Sequence, residues 1–232
     1  MRKERVSTYI VAGSRRWNYR VFAEKIATLP GEWCFVSTPT ELEALGVGDL
    51  HPRYIFFLHW SWKVPAAIFN QCECICFHMT DLPYGRGGSP LQNLIARGHR
   101  QTKLTALRMV EELDAGPVYA KADLCLEGNA EEIYIRASTV AAELIGRIVS
   151  ENPRPFQQEG TPVVFRRRGP EESRLLEAAS LGELYDFIRM LDAEGYPKAF
   201  LEFGRYRLEF SRAALYDGRI EADVTIHAVE ER

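Results

Sequence analysis

The sequence predicts an α/β fold, with a Rossmann-like, mostly parallel sheet in the larger first part and a small α+β unit at the C-terminal end. Strand-like stretches alternate with helix-like stretches, and the strand candidates are continuous apolar runs, as in YIFFLHW (54–60). Parallel strands covered on both faces give such runs. The composition changes at about residue 152, where prolines and charges become frequent, so we predict a first domain at 1–155 and a linker with a small unit at 156–232.

The chain opens with an α/β unit. STYIVAG (7–13) predicts a short buried strand that ends in a glycine turn. Residues 14–29 place Val21, Phe22 and Ile26 at helical spacing, so a helix follows.

Further strands and helices alternate behind this unit. The segments GEWCFVST, YIFFLHW and CICFH predict the second, third and fourth strands. Pro39 starts a short helix after the second strand, and Pro65 opens another after the third, since proline suits the first turn of a helix.

The pattern continues beyond the fourth strand. GGSPLQNLIARG predicts a helix with Ser89 as N-cap, Pro90 at its first position and Gly98 at its end. TKLTALRMV predicts a strand, and EELDAGPVYAKADLCL predicts a turn followed by an extended run. A long amphipathic helix is expected from Asn129.

The last part of the chain predicts a helix and a hairpin. SLGELYDFIRMLDAEG has the helical period, and FLEFGRYRLEF alternates around Gly204, as a β-hairpin does. This hairpin could pack on the first domain or on a second subunit, so a homodimer is one expectation.

Charge and composition exclude several classes of protein. With 29 basic and 32 acidic residues, the net charge of −3 gives no reason to expect nucleic-acid binding. No apolar run is long enough to cross a membrane, and the apolar stretch behind the basic start MRKERV is too short for a signal peptide. The five cysteines, an odd number, favour a reducing compartment, the cytoplasm.

Three of the cysteines alternate in CECIC. Cys72, Cys74 and Cys76 share one strand face but lack the gap of two residues that is usual between zinc ligands. Free cysteines are often buried, so we interpret them as buried strand residues and predict no metal site.

The stretch FHMTDLPYGRGGSP (77–90) is the candidate functional segment. His78 closes the fourth strand, and ligands of open α/β sheets bind beyond the carboxyl ends of strands. The segment lacks the GxxxxGK pattern and its glycines do not follow the first strand, so it is not a phosphate loop.

This stretch resembles the signature of the folate-dependent formyltransferases. These enzymes carry Asn-x-His at a strand end, a Leu-Pro loop, Arg-Gly, a helix that starts with small-small-Pro and, later, a Leu-Asp-x-Gly-Pro turn. His78, the loop TDLPYGRGGSPLQ and the turn ELDAGPVYAK with Asp114 match in order and spacing. FIRMLDAEGYPKAF resembles the start of the small C-terminal domain of the methionyl-tRNA and sugar-nucleotide members, so residues 1–155 would be the catalytic formyltransferase domain.

The resemblance implies 10-formyltetrahydrofolate as the formyl donor and a pair of catalytic residues. The attacking amine must lose a proton, and His78 would take it or hydrogen-bond the oxyanion. Asp114 would orient the imidazole and stabilise its charged form. The competing interpretations are a satisfied histidine at the edge of a loop and an aspartate that merely starts a turn.

Cys76 departs from the family pattern, because it stands where the family has the asparagine that helps to hold the formyl oxygen. A thiol is only a weak donor. The chain could work with His78, Asp114 and a backbone donor, Asn93 could reach in from the next helix, or activity could be weak or lost. A role of Cys76 as a nucleophile is disfavoured, since no residue near it in the sequence is expected to lower the pKa of its thiol.

The remaining site residues are predicted around these positions. The folate is expected between the end of the third strand and the VEELDA loop, although the same residues could serve core packing or simply be solvated. The candidates are Leu82, Leu91, Val110, Glu111, Glu112 and Leu113.

On the acceptor side, Trp60 and Trp62 would stack on a sugar, pterin or base, and Lys63 and Arg86 would neutralise a diphosphate. The loop around Tyr84, Gly87 and Gly88 would shape the amine pocket. One tryptophan could instead lie in the core, and a lone cation on a loop is usually solvated.

For the acceptor we predict a nucleotide-linked amino-dideoxysugar, of the kind used in lipopolysaccharide O-antigens and other bacterial surface polysaccharides. RGGSPLQ resembles the methionyl-tRNA and sugar enzymes rather than the purine enzyme, and TALRMVEELDAG resembles the sugar enzymes. The tRNA enzymes are typically longer and need a basic surface, so a short methionyl-tRNA enzyme is a more distant candidate.

A hydrolase and a binding protein stay open as functions beside the transferase. A formyltetrahydrofolate hydrolase would use a similar His and Asp, but the known deformylases carry an extra N-terminal domain, whereas this chain begins with its first strand. The departure at Cys76 keeps open a catalytically weak homologue that only binds folate or a nucleotide.

Overall fold

The computed structural model describes residues 6–229, so the basic start of the chain, on which the signal-peptide prediction depends, lies largely outside the described residues. The strands are β1 (Thr8–Gly13), β2 (Glu32–Val36), β3 (Tyr54–Leu58), β4 (Cys74–His78), β5 (Tyr84–Gly87), β6 (Gln101–Arg108), β7 (Val118–Cys125), β8 (Val163–Phe165), β9 (Ala199–Phe203), β10 (Tyr206–Tyr216) and β11 (Arg219–Ala228).

The helices are α1 (Arg16–Glu24), α2 (Pro39–Ala44), α3 (Val47–Leu50), α4 (Ala66–Gln71), α5 (Pro90–Ala96), α6 (Ala130–Glu151) and α7 (Leu181–Arg189). Short 3₁₀ turns lie at Ile26–Thr28 and Pro170–Ser173. In the part of the chain from residue 6 to 229, no helix is both long and apolar enough to cross a membrane.

The main sheet has the strand order β2-β1-β3-β4-β6-β7. β1 pairs in parallel with β2 and β3, β3 pairs in parallel with β4, and β4 pairs antiparallel with β6. The predicted α/β class with a mostly parallel sheet is therefore confirmed. The parallel strands β1, β3 and β4 place their carboxyl ends at one edge, where β4 ends with His78.

The apolar runs form these strands because both of their faces are covered. Successive residues of a strand point to opposite faces, and the neighbours Ile55 and Phe56 on β3 are both fully buried. Ile10 on β1 and Ile75 on β4 are fully buried as well. The continuous apolar runs of the sequence thus correspond to central strands of the sheet.

The helix after the candidate segment begins and ends as predicted, but its cap differs. α5 starts at Pro90, and Gly98 follows it at φ 79°. Ser89 stands at the N-cap position, yet its Oγ accepts a hydrogen bond from the Arg168 N–H at 3.1 Å rather than from the helix, and its φ is 49°. The predicted side-chain cap is therefore wrong, because this hydroxyl accepts its hydrogen bond from Arg168, 79 residues later in the chain.

The two short strands β5 and β8 and the long strand β11 were not predicted. β5 and β8 form a two-stranded sheet, although TDLPYGRGG was expected to be a loop and residues 152–174 a linker. At the C-terminal end, β9, β10 and β11 form an antiparallel sheet in the order β11-β10-β9. The predicted hairpin is β9 and β10, which turn at Gly204 (φ 58°).

The described chain groups into two compact units that alternate along the sequence. The first comprises residues up to Arg86 together with Lys103–Leu124 and Ile135–Val164. The second comprises Gly87–Thr102, Cys125–Tyr134 and the chain from Phe165 onward. The division of the chain at residue 155 stays a prediction.

Candidate functional site

The structure brings the two predicted catalytic side chains together. His78 is the last residue of β4, and Asp114 lies in the loop between β6 and β7. The His78 Nδ1 lies 3.5 Å from the Asp114 Oδ2, and the two side chains are only 9% and 10% exposed. A buried imidazole therefore faces a buried carboxylate at the carboxyl edge of the parallel strands.

The other ring nitrogen of His78 fixes the tautomer. Nε2 lies 2.7 Å from the Gly85 carbonyl oxygen. A carbonyl oxygen only accepts hydrogen bonds, so Nε2 carries a proton and donates it. In the neutral ring the lone pair is then on Nδ1, which faces Asp114. This arrangement suits an imidazole that gains a proton at Nδ1 beside a carboxylate.

Cys76 belongs to the same group of side chains, two residues before His78 on β4. Its Sγ lies 3.8 Å from the Leu107 carbonyl oxygen, to which the thiol donates. Burial, and then the nearby Asp114 carboxylate, raise the pKa of the Cys76 thiol well above its usual range. The thiol therefore stays protonated beside the pair, which does not suit a cysteine nucleophile.

The loop that carries Asp114 has a strained and tightly packed backbone. Asp114 has φ 55°, in the left-handed region that side chains rarely adopt. A Cβ on Gly116 would lie 1.8 Å from the Arg108 carbonyl oxygen, so only glycine fits there. This close approach holds the loop against the end of β6.

Gln158 hydrogen-bonds to the backbone of the same loop. It was not predicted as a site residue from the sequence. Its Nε2 donates to the Asp114 carbonyl at 2.8 Å and to the Gly116 carbonyl at 2.9 Å. Its Oε1 accepts from Arg86 Nε and Nη2 at 3.1 and 2.9 Å. Gln158 lies in a polar segment outside any helix or strand, so no periodic pattern marked it.

Arg86, a predicted diphosphate partner, is engaged within the protein. Besides Gln158, it contacts Glu112, with Nη1 3.2 Å from the carboxylate. The Glu112 side chain is 77% exposed, so this ion pair is weak. Contact of Arg86 with an acceptor stays a prediction and would compete with Glu112.

The predicted folate residues divide into buried and exposed groups. Leu82 packs with Leu107 and Val118 in a small core cluster, and Leu91 on α5 is also fully buried. Both leucines are thus buried, and contact of either side chain with the folate stays a prediction. The remaining four are exposed: Val110, Glu111, Glu112 and Leu113.

The two predicted stacking tryptophans lie just after β3 and contact each other. Their ring centroids are 4.9 Å apart, and Trp60 also meets Phe57 edge to face at 5.7 Å. Trp60 is half-buried and packs against the core, while Trp62 is 45% exposed and Lys63 is exposed. Trp62 is thus the tryptophan whose ring is open to a ligand.

Within the second unit, Gly88 and Asn93 have structural partners. A Cβ on Gly88 would lie 2.4 Å from the Arg167 Cβ, so the chain needs glycine there. The Asn93 Nδ2 donates to the carbonyls of Gly88 and Ser89 at 3.1 Å and of Arg166 at 3.0 Å. A hydrogen bond from Asn93 to the formyl oxygen stays a prediction. It would require some of these hydrogen bonds to break.

The other predicted loop residues are half-buried. Tyr84 begins β5, and Gly87 ends it with φ 102°, a conformation that favours glycine. Among residues 6–229, no group of three or more His, Cys, Asp or Glu side chains is placed to hold a metal ion.

Comparison with known proteins places the chain among formyltransferases. Residues 170–227 match the family described as the methionyl-tRNA formyltransferase C-terminal domain. A solved structure described as methionyl-tRNA formyltransferase from Clostridium thermocellum is 43% identical, with a TM-score of 0.91, over 96% of this chain and 100% of that chain.

More distant relatives extend the comparison. A curated methionyl-tRNA formyltransferase of Methylobacterium nodulans is 31% identical over 71% of this chain and 57% of its own length, and one of Campylobacter lari is 28% identical over 67% and 52%. The chain thus spans about half the length of these curated relatives. A 4-N formyltransferase from Francisella tularensis, 15% identical with a TM-score of 0.66 over 97% of this chain and 99% of that chain, shares the fold.

Proposed function

The chain belongs to the folate-dependent formyltransferase family, and we propose that it transfers the formyl group of 10-formyltetrahydrofolate to a primary amine. The observation that carries this proposal is the buried pair of His78 and Asp114, with Nδ1 and Oδ2 3.5 Å apart at the carboxyl edge of the sheet. The position is the one at which open α/β sheets bind their ligands.

The chemistry of these side chains fits the folate. When bound, 10-formyltetrahydrofolate supplies an activated formyl carbon for attack by the amine. His78 would take the proton that the attacking amine loses and would return it to the folate nitrogen that leaves; Nδ1 is the nitrogen free to do so, because Nε2 donates its proton to the Gly85 carbonyl. Asp114 stabilises the resulting imidazolium, and the 3.5 Å contact, long for a hydrogen bond, shortens as the charge forms. Cys76 stays neutral and adds no competing charge.

The names of the relatives support methionyl-tRNA as the acceptor. The Clostridium thermocellum protein that matches this chain along its length carries that name, as do the curated relatives. Arg166, Arg167 and Arg168 are a local source of positive charge in the second unit. A chain that formylates methionyl-tRNA binds RNA, so this proposal departs from the prediction that the chain binds no nucleic acid.

A nucleotide-linked amino-dideoxysugar is the second candidate acceptor. Trp62, almost half exposed and stacked edge to face on Trp60, offers an aromatic surface to a sugar or a base. The neighbouring Lys63 is exposed and could meet a diphosphate. The structural likeness to sugar formyltransferases is one of fold, so the support for this acceptor comes from the tryptophan pair and Lys63.

One assay tests the proposal. The purified chain is incubated with 10-formyltetrahydrofolate and, separately, with methionyl-tRNA, with a panel of dTDP-, UDP- and GDP-linked amino sugars, or with no amine, while tetrahydrofolate release is followed. Release that requires one of the amines supports the proposal and names the acceptor. Release without amine indicates a hydrolase, and folate binding without any release indicates a binding protein.

Two further predictions accompany the proposal. The cysteine usage favours a cytoplasmic location, and a homodimer is one expectation because the C-terminal hairpin could pack on a second subunit rather than on the first domain. Light scattering of the purified chain tests the second, and a monomer at assay concentrations would contradict it.

A further inference from the structure

Gln158 is a half-buried residue in an otherwise exposed segment that is fixed at both ends. On one side, Phe156 exchanges two backbone hydrogen bonds with Val118, at 2.7 and 2.9 Å. On the other side, the Val163 N–H donates to the Pro83 carbonyl at 3.2 Å. The immediate neighbours Gln157 and Glu159 are exposed. The anchored segment therefore presents one side chain, that of Gln158, to the loop that carries Asp114.

We propose that Gln158 is a positioning residue for the reaction, which holds the Asp114 carboxylate opposite His78 and joins this loop to Arg86. This inference rests on the proposed formyl transfer. Its basis is that one carboxamide makes four hydrogen bonds, two to the carbonyls of Asp114 and Gly116 and two from Arg86.

The loop needs such support. Asp114 lies at φ 55°, in the left-handed region, which costs most residues with a side chain roughly 1–2 kcal/mol and aspartate less. The backbone relaxes from such a conformation unless its surroundings hold it. Gln158 binds the carbonyl of Asp114 itself and that of Gly116 two residues later, so it fixes two of the peptide groups that directly follow the strained residue.

The chemistry of the contact selects a glutamine. A carboxamide provides two N–H donors from one nitrogen and an acceptor oxygen, which matches two carbonyls and one guanidinium. A glutamate of the same shape would turn an acceptor toward two carbonyl oxygens. It would lose both bonds to the loop while it kept the bonds from Arg86. Gln158→Glu thus separates the two halves of the contact, and Gln158→Ala removes both.

The test combines kinetics with amide hydrogen exchange in the 232-residue chain. We expect Gln158→Glu and Gln158→Ala to lower kcat by about tenfold or more, since small misplacements of catalytic groups have large effects, while the KM for the folate changes less than about threefold. The exchange of amides in residues 109–117 should accelerate in both variants. The matched control is Gln157→Ala, an exposed glutamine one position earlier, which should change neither quantity.

A double-variant comparison separates positioning from general structural damage. In an Asp114→Asn background, Gln158→Ala should lower kcat by less than about twofold, because the carboxylate it positions is already gone. A full additional tenfold loss there overturns the proposal, as does an unchanged kcat in the single variants. If the wild-type chain transfers no formyl group, the proposed function is wrong. The exchange data then decide by themselves whether Gln158 fixes the loop. Exchange that is unchanged in the Gln158 variants would show that it does not.

Discussion

The thiols of β4 differ in chemical character from the exposed Cys125. Burial raises the pKa of Cys74 to about 12, and burial together with the Asp114 carboxylate also raises the pKa of Cys76 above its ordinary value. Because the thiolate is the reactive form, iodoacetamide at neutral pH should label Cys125 and leave Cys74 and Cys76 unlabelled in the folded chain. Mass spectrometry of the digested protein reads the labelling, and the denatured protein, in which all the cysteines react, is its control. Rapid labelling of Cys76 in the native protein would contradict the assignment of a neutral thiol.

His59, directly after β3, makes the stability of the fold depend on pH. Burial, and then the charge of Arg15, lower its pKa from 6.5 to about 4. Between pH 6.5 and about 4, the imidazole binds a proton in the unfolded chain but not in the folded chain. The free energy of unfolding therefore falls as the pH is lowered through this range. The contribution is on the order of 3 kcal/mol.

The variant His59→Asn should remove this part of the pH dependence. Asparagine tolerates the left-handed φ of 48° at this position. His51 has the same φ of 48° and is exposed, so His51→Asn is the matched control and should keep the wild-type slope. Denaturant unfolding at several pH values measures the slopes, and parallel slopes for all three proteins would disprove the role of His59.

Glycine positions show how the elements constrain each other. A Cβ at Gly116 would meet the Arg108 backbone, whereas a Cβ at Gly146, inside α6, would make only ordinary contact with Leu29 at 3.7 Å. Gly116→Ala should lower the free energy of unfolding by about 3 kcal/mol, as overpacking does, and should also reduce turnover because the Asp114 loop must move. Gly146→Ala should raise stability by about 0.5–1 kcal/mol. Urea titrations of both variants check this, and equal effects would contradict the packing described for the loop.

Among the elements, those with an apolar run or a proline at the helix start were predictable. β4 and α5 lie where the apolar run CICFH and the Ser-Pro start placed them. β5 and β8 were not predictable, because a strand of four or three residues has no pattern of its own and depends on its partner. β11 did carry a signal that was missed, since Ile220, Val224 and Ile226 alternate with polar residues along it.

The candidate site was predictable only where residues matched a known pattern in order. His78 and Asp114 were predicted through the resemblance, and they lie side by side in the structure. Gln158 acts through the fold, 44 residues beyond Asp114, and a glutamine in a polar stretch has no local feature that marks it. For Leu82 and Leu91, a sequence pattern cannot separate a pocket wall from the core, and both side chains are buried in the structure.

At the scale of the whole molecule, the proposed formyl transfer depends on the pair of His78 and Asp114. The most direct measurement is the rate of tetrahydrofolate release, with the acceptor identified by the amine panel, for wild type, His78→Asn, Asp114→Asn and the exposed control His51→Asn. We expect each site variant to lose at least about a hundredfold in turnover and the control to keep the wild-type rate. Near-normal turnover in both site variants would contradict a role of this pair in formyl transfer.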